Sequence, residues 1–136
     1  MVDKICLGTV QLGKAYGISN TIGKTSKKEA FKILDYCVKR GINWLDTAED
    51  YGTSQKIIGD YIKHNPGSFK IQSKISGSSN SNNLSSRFQQ TLDELNVEFL
   101  DSYLFHSFRK FKSQSLNLLE ETLILKKKIK NILTFN

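Results

Sequence analysis

The alternation of strand-like and helix-like segments constrains the fold of this chain more than any other feature. Apolar runs that are typical of strands lie at 5–10, 42–45, 69–75, 99–106 and 129–135, and segments with helical spacing separate them. Strict alternation favours right-handed βαβ units and a parallel sheet. Each unit spans about thirty residues, as in an eight-unit barrel. The sequence therefore predicts an α/β fold of the (β/α)8 TIM-barrel type, truncated to about four βα units plus a fifth strand.

Length and motif content narrow this prediction. With 136 residues, the chain is predicted to be a single domain, residues 1–136. No GxGxxG or phosphate-binding loop follows the first strand, which disfavours doubly wound nucleotide-binding folds. The sequence has neither a signal-peptide pattern at its start nor an apolar run near the roughly 20 residues of a membrane-spanning helix. Cys6 and Cys37 lie in apolar contexts without metal-ligand spacing, so we expect reduced core cysteines, no metal and a cytoplasmic protein.

The basic character of the chain raises the question of a nucleic-acid partner. The formal net charge is +7, and the segment 101–136 carries seven of the basic residues against three acidic ones. Such a bias can mark a phosphate-binding surface. The lysines are, however, not interleaved with aromatic residues that could stack on bases. We therefore predict neither a nucleic-acid partner nor a membrane partner.

Local signals predict where the helices begin and end. Ser26 and Glu29 form an S-x-x-E capping box, and Gly41 has the position of a residue that ends the helix. Ser54 is predicted to cap a helix that runs to His64. Two further helices are indicated by apolar stripes at helical spacing, namely Leu84, Phe88, Leu92 and Leu95, and Leu116, Leu119 and Leu123.

The segment 41–52, GINWLDTAEDYG, contains the first candidate site residues. Asp46 ends the second predicted strand, and Tyr51 lies in the loop that follows. In α/β barrels, an acidic residue at the C-terminal end of a strand, just before a βα loop, occupies the usual place of the active site. The alternative is that Asp46 only caps a turn and that Tyr51 packs at the surface. These two residues by themselves leave both interpretations open.

Several motifs together make the sequence resemble the aldo-keto reductases. They are LGTVQLG at 7–13, GINWLDTAEDYG at 41–52, the Ile58–Gly59 pair, the lysine of KIQSKI and TLDELNVEFLDSYLFH at 91–106. The resemblance spans nearly the whole chain, in the order and spacing of the family. It implies a barrel enzyme that uses NADPH to reduce a small-molecule aldehyde or ketone to an alcohol.

The resemblance also implies four catalytic residues, Asp46, Tyr51, Lys74 and His106. Tyr51 would protonate the carbonyl oxygen. A free phenol ionises only at about pH 10, so a neighbouring Lys74 ammonium would be needed to stabilise the phenolate. Asp46 would hold Lys74 in place, and His106 would donate a hydrogen bond to the carbonyl oxygen. Taken singly, Lys74 could be a solvated lysine and His106 a core histidine, but all four lie at the C-terminal ends of three successive predicted strands.

The nicotinamide end of the cofactor is implied to contact Gly8, Thr9 and Asn136. The sequence departs from the family pattern at Gln55, where a glutamate is common, and at 133–135, where Leu, Thr and Phe replace Gly, Val and Ser. Family strands that bind the cofactor phosphates have no counterpart, so the chain is expected to be a truncated form without the C-terminal half.

Three hypotheses follow from the sequence. The first is an oxidoreductase whose turnover needs that missing half, and the second is a non-catalytic half-barrel fragment. The third is another barrel enzyme that reuses the same strand ends. Under each, unpaired edge strands are expected to favour self-association.

Overall fold

The computed structural model of the protein describes residues 4–76, 84–107 and 125, together with the backbone of residues 129–132. The strands are β1 (Cys6–Gly8), β2 (Trp44–Asp46), β3 (Lys70–Ile75), β4 (Leu100–Phe105) and β5 (Ile129–Ile132). The helices are α1 (Val10–Gly13), α2 (Lys27–Lys39), α3 (Ser54–His64) and α4 (Leu84–Leu95). The predicted alternation of strands and helices is confirmed for this part of the chain.

The strands form one parallel sheet in the order β1-β2-β3-β4-β5. Gly8 pairs with Asp46, Asp46 with Gln72, and Gln72 with Ser102, so one row of residues crosses four strands. Because all strands are parallel, their C-terminal ends meet at the same edge of the sheet. This arrangement of successive βα units is that of an α/β barrel, as predicted.

The predicted ends of α2 are confirmed. The Ser26 hydroxyl accepts a hydrogen bond from the Glu29 amide at 3.2 Å and caps the N-terminus. At the other end, Arg40 is the C-cap, and Gly41 has a φ of 72°, a left-handed conformation that favours glycine. The chain can therefore turn sharply from α2 into β2.

The first strand is shorter than predicted. Pairing with β2 stops at Gly8, and Val10 begins the short helix α1 instead of continuing the strand. The amide and the hydroxyl of Thr9 both donate to the Asp46 carbonyl oxygen, at 3.0 and 2.9 Å. This turns the chain out of the sheet at Thr9. The strand pattern at 5–10 could not show it, because the acceptor lies 37 residues further along the chain.

The core lies between the sheet and the helices. The predicted stripe of α4 is buried, and α3 packs against α4 closely at Gly59. A Cβ atom at Gly59 would lie 2.0 Å from the Glu94 carbonyl oxygen, so only glycine permits this approach of the two helices. The largest fully buried side chains include Phe88, Leu34, Leu45, Ile58, Leu92, Leu95 and Leu100.

The two faces of the sheet differ in polarity, as the alternation in β3 predicts. Ile71, Ser73 and Ile75 are buried, whereas Gln72 and Lys74, on the opposite face, are only partly buried. Near the C-terminal ends of the strands, this opposite face, which would line a barrel, therefore carries polar side chains.

The prediction of two core cysteines is half wrong. Cys37 is buried in α2, but Cys6 is exposed. Alternation along β1 turns Leu7 toward the core and Cys6 toward the face that the helices do not cover.

Some predictions lie outside the described residues, namely the helix through Leu116, Leu119 and Leu123, the strand residues 133–135, and Asn136. Of the helices that the structure describes, none has the length and apolar character needed to cross a bilayer.

Candidate active site

Asp46 and Lys74 form an ion pair at the C-terminal edge of the sheet. The Lys74 ammonium lies 2.6 Å from each carboxylate oxygen of Asp46, and it lies 3.3 Å from the Thr47 carbonyl oxygen. Gln72 donates to the same carboxylate at 2.7 Å. The side chain of Lys74 is 13% exposed and that of Asp46 is 24% exposed. Shielding from water strengthens the attraction between the two charges relative to a surface pair.

Tyr51 extends this pair. Its phenol oxygen lies 3.4 Å from the Lys74 ammonium, which is also 5.0 Å from the centre of the Tyr51 ring. A cation at this distance stabilises negative charge on the phenol oxygen when the phenol gives up its proton. Lys74 is therefore in contact with a carboxylate on one side and a phenol on the other, and it is not a freely solvated lysine.

His106 follows β4 and lies beside Tyr51. The two ring centres are 6.0 Å apart, with the rings at 84° to each other. The His106 amide donates to the Ile75 carbonyl oxygen at 3.1 Å, which ties His106 to the end of β3. The structure thus brings together all four sequence-predicted catalytic residues; their catalytic roles remain predictions.

Asp50 is a further residue of this site that the sequence did not indicate. Its Oδ1 lies 3.1 Å from Nδ1 of His106. A carboxylate in this position constrains the orientation of the imidazole ring. The only sequence signal was its place next to Tyr51, because the contact with His106 arises from the pairing of strands far apart in the chain.

A layer of buried hydroxyl groups supports the site from beneath. Thr9, Thr47 and Ser54 are all fully buried. The Ser54 hydroxyl lies 2.8 Å from the Thr9 hydroxyl and 3.0 Å from the Thr9 carbonyl oxygen. Thr47 lies 3.3 Å from Ser54 and completes the layer. Because Thr9 also donates to the backbone of Asp46, this layer fixes the end of β2.

This layer corrects one prediction, the helix cap at Ser54, and shows the surroundings of Thr9. Ser54 is not the cap of α3 but the first residue of the helix, and Thr53 occupies the cap position without a side-chain capping bond. The Ser54 hydroxyl instead donates to the Thr9 carbonyl oxygen. The polar groups of Thr9 have partners within the protein, and the residue is fully buried. Thr9 therefore supports the site from beneath, and its predicted contact with the cofactor stays a prediction.

The backbone of α1 lies directly against the loop that carries Tyr51. A Cβ atom at Gly13 would lie 1.6 Å from the Tyr51 carbonyl oxygen and 2.5 Å from the Ser54 amide nitrogen. Gly52 has a φ of 61°, and a Cβ atom there would lie 2.5 Å from the Gly13 carbonyl oxygen. Two glycines therefore permit the contact that holds this loop in place.

Gly8 differs from these glycines because it borders open space. It is exposed, and a Cβ atom added there would meet nothing within 4 Å among the described atoms. Gly8 pairs with Asp46 and lies on the open face of β1 together with Cys6.

The Cys6 thiol is influenced by the charges of the site. Partial burial first, and then the Asp46 carboxylate, raise the pKa of the Cys6 thiol, while the Lys74 ammonium acts in the opposite direction. The pKa of Cys6 thus depends on both charges of the Asp46–Lys74 pair.

Among the residues that the structure describes, no group of three or more His, Cys, Asp or Glu side chains could hold a metal ion.

Comparison with known proteins decides the family. The model of the aldo/keto reductase family matches residues 4–132 of the chain. The chain belongs to the aldo/keto reductase family. The match includes the strands and loops that carry Asp46, Tyr51, Lys74 and His106. The family that the motifs indicated is therefore confirmed.

One curated relative aligns with most of the length of this aldo/keto reductase chain. The protein Tas of Escherichia coli is 29% identical over 128 residues, which cover 86% of this chain and 34% of Tas. The chain thus spans about a third of the length of this relative.

Solved structures show the same fold. A protein of Pseudomonas aeruginosa described as an aldo-keto reductase superposes with a TM-score of 0.75 at 23% identity, covering 93% of this chain and 53% of that one. An aldo/keto reductase of Klebsiella pneumoniae in complex with NADP and acetate gives a TM-score of 0.69 at 22% identity, covering 93% and 43%. At these identities the likeness extends to the fold alone, and it confirms that the sheet and helices are part of a (β/α)8 barrel architecture.

Proposed function

We propose that this aldo/keto reductase chain carries the proton-donor site of an enzyme that reduces an aldehyde or ketone to an alcohol with NADPH. The observation that carries the proposal is the position of Lys74, whose ammonium lies between the Asp46 carboxylate at 2.6 Å and the Tyr51 phenol at 3.4 Å. A lysine held in this way can serve a phenol that must donate a proton near neutral pH.

Each residue has a distinct proposed role. Tyr51 donates its phenol proton to the carbonyl oxygen of the substrate, and Lys74 stabilises the phenolate that this leaves. Asp46 holds Lys74 in place, since a shielded cation needs a partner. His106 orients the carbonyl oxygen by hydrogen bonding, and Asp50 holds the imidazole ring in turn.

The cofactor assignment rests on the family and on the space at Gly8. A nicotinamide, when bound, would supply the hydride. The open surface at Gly8, next to Asp46, suits the close approach of a planar ring, because a larger side chain would occupy that space. The backbone at Thr9 and the side chain of Asn136 remain proposed contacts of the nicotinamide end, and Thr9 also fixes the end of β2 beneath it. The Klebsiella pneumoniae relative with bound NADP supports a cofactor of this class.

A second candidate function is a folded half-barrel without turnover. The observation that favours it is the span of the chain, which covers 34% of Tas. A dinucleotide is held largely by charge-assisted hydrogen bonds to its phosphates, each of about 1.5–3 kcal/mol. If the chain lacks those contacts, NADPH binding should not saturate below millimolar concentration.

The experiment is an assay of NADPH oxidation with a reactive aldehyde, combined with titration of NADPH fluorescence. We expect Tyr51→Phe to lower turnover by roughly 10²–10⁴-fold, the usual contribution of a general acid, and Lys74→Met to be comparably severe. Tyr16→Phe and Lys28→Met replace exposed residues and serve as controls. Turnover that survives Tyr51→Phe would refute Tyr51 as the proton donor. A wild-type chain with neither turnover nor saturable binding would favour the second candidate.

A further inference from the structure

We infer that Glu49 is a positioning residue that fixes the relative placement of the segments carrying Tyr51, Lys74 and His106. The inference rests on the proposed function only in taking these three residues as catalytic. Among the described residues, the hydrogen bonds of the Glu49 carboxylate go to Ser76, Arg87 and Tyr103 and not to these three side chains.

The carboxylate of Glu49 joins three separate parts of the structure. One oxygen accepts a hydrogen bond from the Tyr103 phenol at 3.0 Å. The other accepts from the Ser76 amide at 3.1 Å and forms an ion pair with the Arg87 guanidinium. The side chains of Glu49 and Arg87 are each 17% exposed, so this pair is shielded from water as the Asp46–Lys74 pair is.

The partners of Glu49 are close in sequence to the proposed catalytic residues. Glu49 is two residues before Tyr51, Ser76 is two residues after Lys74, and Tyr103 is three residues before the histidine that follows β4. So few backbone bonds separate each partner from its neighbour that a shift of one moves the other. One carboxylate therefore connects three successive βα units at the level of the site.

The residues around Glu49 make further hydrogen bonds and packing contacts with one another. Arg87 extends from α4 and also donates to the Ser76 carbonyl oxygen, while the Glu49 amide donates to the Lys74 carbonyl oxygen at 3.1 Å. Tyr103 packs edge-on against Phe88 in the core, with ring centres 5.1 Å apart. Burial first, and then the Glu49 carboxylate, hold the pKa of Tyr103 well above its usual value. The Tyr103 phenol therefore keeps its proton at neutral pH and donates it to the hydrogen bond with Glu49.

The test compares Glu49→Gln with Glu29→Gln in the full 136-residue chain. Glutamine has nearly the shape of glutamate and can still accept from the Ser76 amide, but it cannot form the ion pair with Arg87. Glu29 is the control because its carboxylate pairs with Lys32 at 3.0 Å on the exposed side of α2, a helix that carries none of the proposed catalytic residues. The measurements are ¹³C NMR of ζ-labelled tyrosine, ¹⁵N NMR of the two imidazoles, and amide hydrogen exchange.

We expect the Tyr51 and His106 signals to shift in Glu49→Gln and to stay in place in Glu29→Gln. The Tyr51 signal is assigned by its loss in Tyr51→Phe, and His64, exposed in α3, is the internal reference for the imidazoles. Protection of the Ser76 amide should fall roughly 10- to 100-fold, as for the loss of a charge-assisted contact.

Unchanged Tyr51 and His106 signals in a folded Glu49→Gln chain would overturn the inference, even if its melting temperature fell, because Glu49 would then be only a stabilising residue. If Glu49→Gln does not fold, Tyr103→Phe decides the matter. It removes one hydrogen bond to Glu49 and leaves the pair with Arg87 intact, and it must also shift both signals. None of these readouts needs turnover, so the proposed function can fail without affecting this test.

Discussion

The Lys74 ammonium and the Asp46 carboxylate are 2.6 Å apart, which is also the distance between Lys27 and Asp60. The two ion pairs differ in burial. The side chains of Lys27 and Asp60 are 59% and 52% exposed, against 13% and 24% for Lys74 and Asp46. Comparing the two pairs thus holds the shortest distance between the charges constant while their burial differs.

Removing the charge of Asp46 should therefore cost much more than removing that of Asp60. We expect Asp46→Asn to lower the free energy of unfolding by about 2–4 kcal/mol, because it leaves a shielded cation without its partner. Asp60→Asn should cost less than about 1 kcal/mol, as is usual for exposed pairs. Urea unfolding of both variants at pH 7 measures the difference. Equal losses would show that the Asp46–Lys74 pair is as well solvated as a surface pair.

Gly13→Ala and Gly8→Ala should differ strongly in stability. A Cβ atom at Gly13 would lie 1.6 Å from the Tyr51 carbonyl oxygen, and neither backbone segment can retreat easily, so we expect a loss of about 3 kcal/mol or more. At Gly8 a Cβ atom meets nothing within 4 Å, and the change should stay within about 0.5 kcal/mol. Thermal unfolding of the two variants checks this. A stable Gly13→Ala chain would mean that α1 can move away from the Tyr51 loop.

The thiol of Cys6 should react slowly with alkylating agents at neutral pH despite its exposure. Its raised pKa leaves less thiolate than in a free cysteine. The alkylation rate should therefore rise only as the pH exceeds the usual pKa of a cysteine thiol. Asp46→Asn removes one of the causes of the raised pKa, so alkylation should become faster. The measurement is the iodoacetamide rate against pH in a Cys37→Ser background, which leaves Cys6 as the reactive thiol. A slower reaction in Asp46→Asn would contradict this account.

The free energy of unfolding should fall at high pH because Tyr61 ionises. Burial, and then the hydrogen bond and charge of Asp35 at 2.7 Å, raise the pKa of Tyr61 to about 12. Because the folded state favours the neutral phenol, this stabilisation is fully present below about pH 10 and is lost as pH rises through about 12. Unfolding free energies across that window should fall less steeply in Tyr61→Phe, which cannot ionise. An identical slope in both chains would exclude Tyr61 as a cause.

The chain is also expected to self-associate. In the described sheet, β1 has a neighbour on one side only, and an unpaired strand edge can accept a strand from another molecule. Sedimentation velocity over a range of protein concentrations should therefore show species larger than the monomer. A monomer that does not change with concentration would contradict the prediction.

Much of the fold was predictable because its signals are local. The spacing of apolar residues predicted α3 and α4, and the capping box at Ser26 predicted the start of α2. The placement of Asp46 and Lys74 at strand ends followed from the same patterns, since alternation along a strand decides the face on which each side chain lies. Parallel pairing then had to bring them to one edge.

Long-range contacts could not be predicted from the sequence. They depend on strand register and on differences of tenths of an ångström in the distance between backbone segments. The turn of the chain at Thr9, the use of the Ser54 hydroxyl and the contact at Gly13 all join residues about 40 positions apart. The sequence by itself determined the order of the elements and the residue types at the strand ends. Only the tertiary structure decided that Asp50 meets His106 and that Glu49 joins three βα units, because no local pattern encodes the distance between two side chains that the chain brings together only on folding.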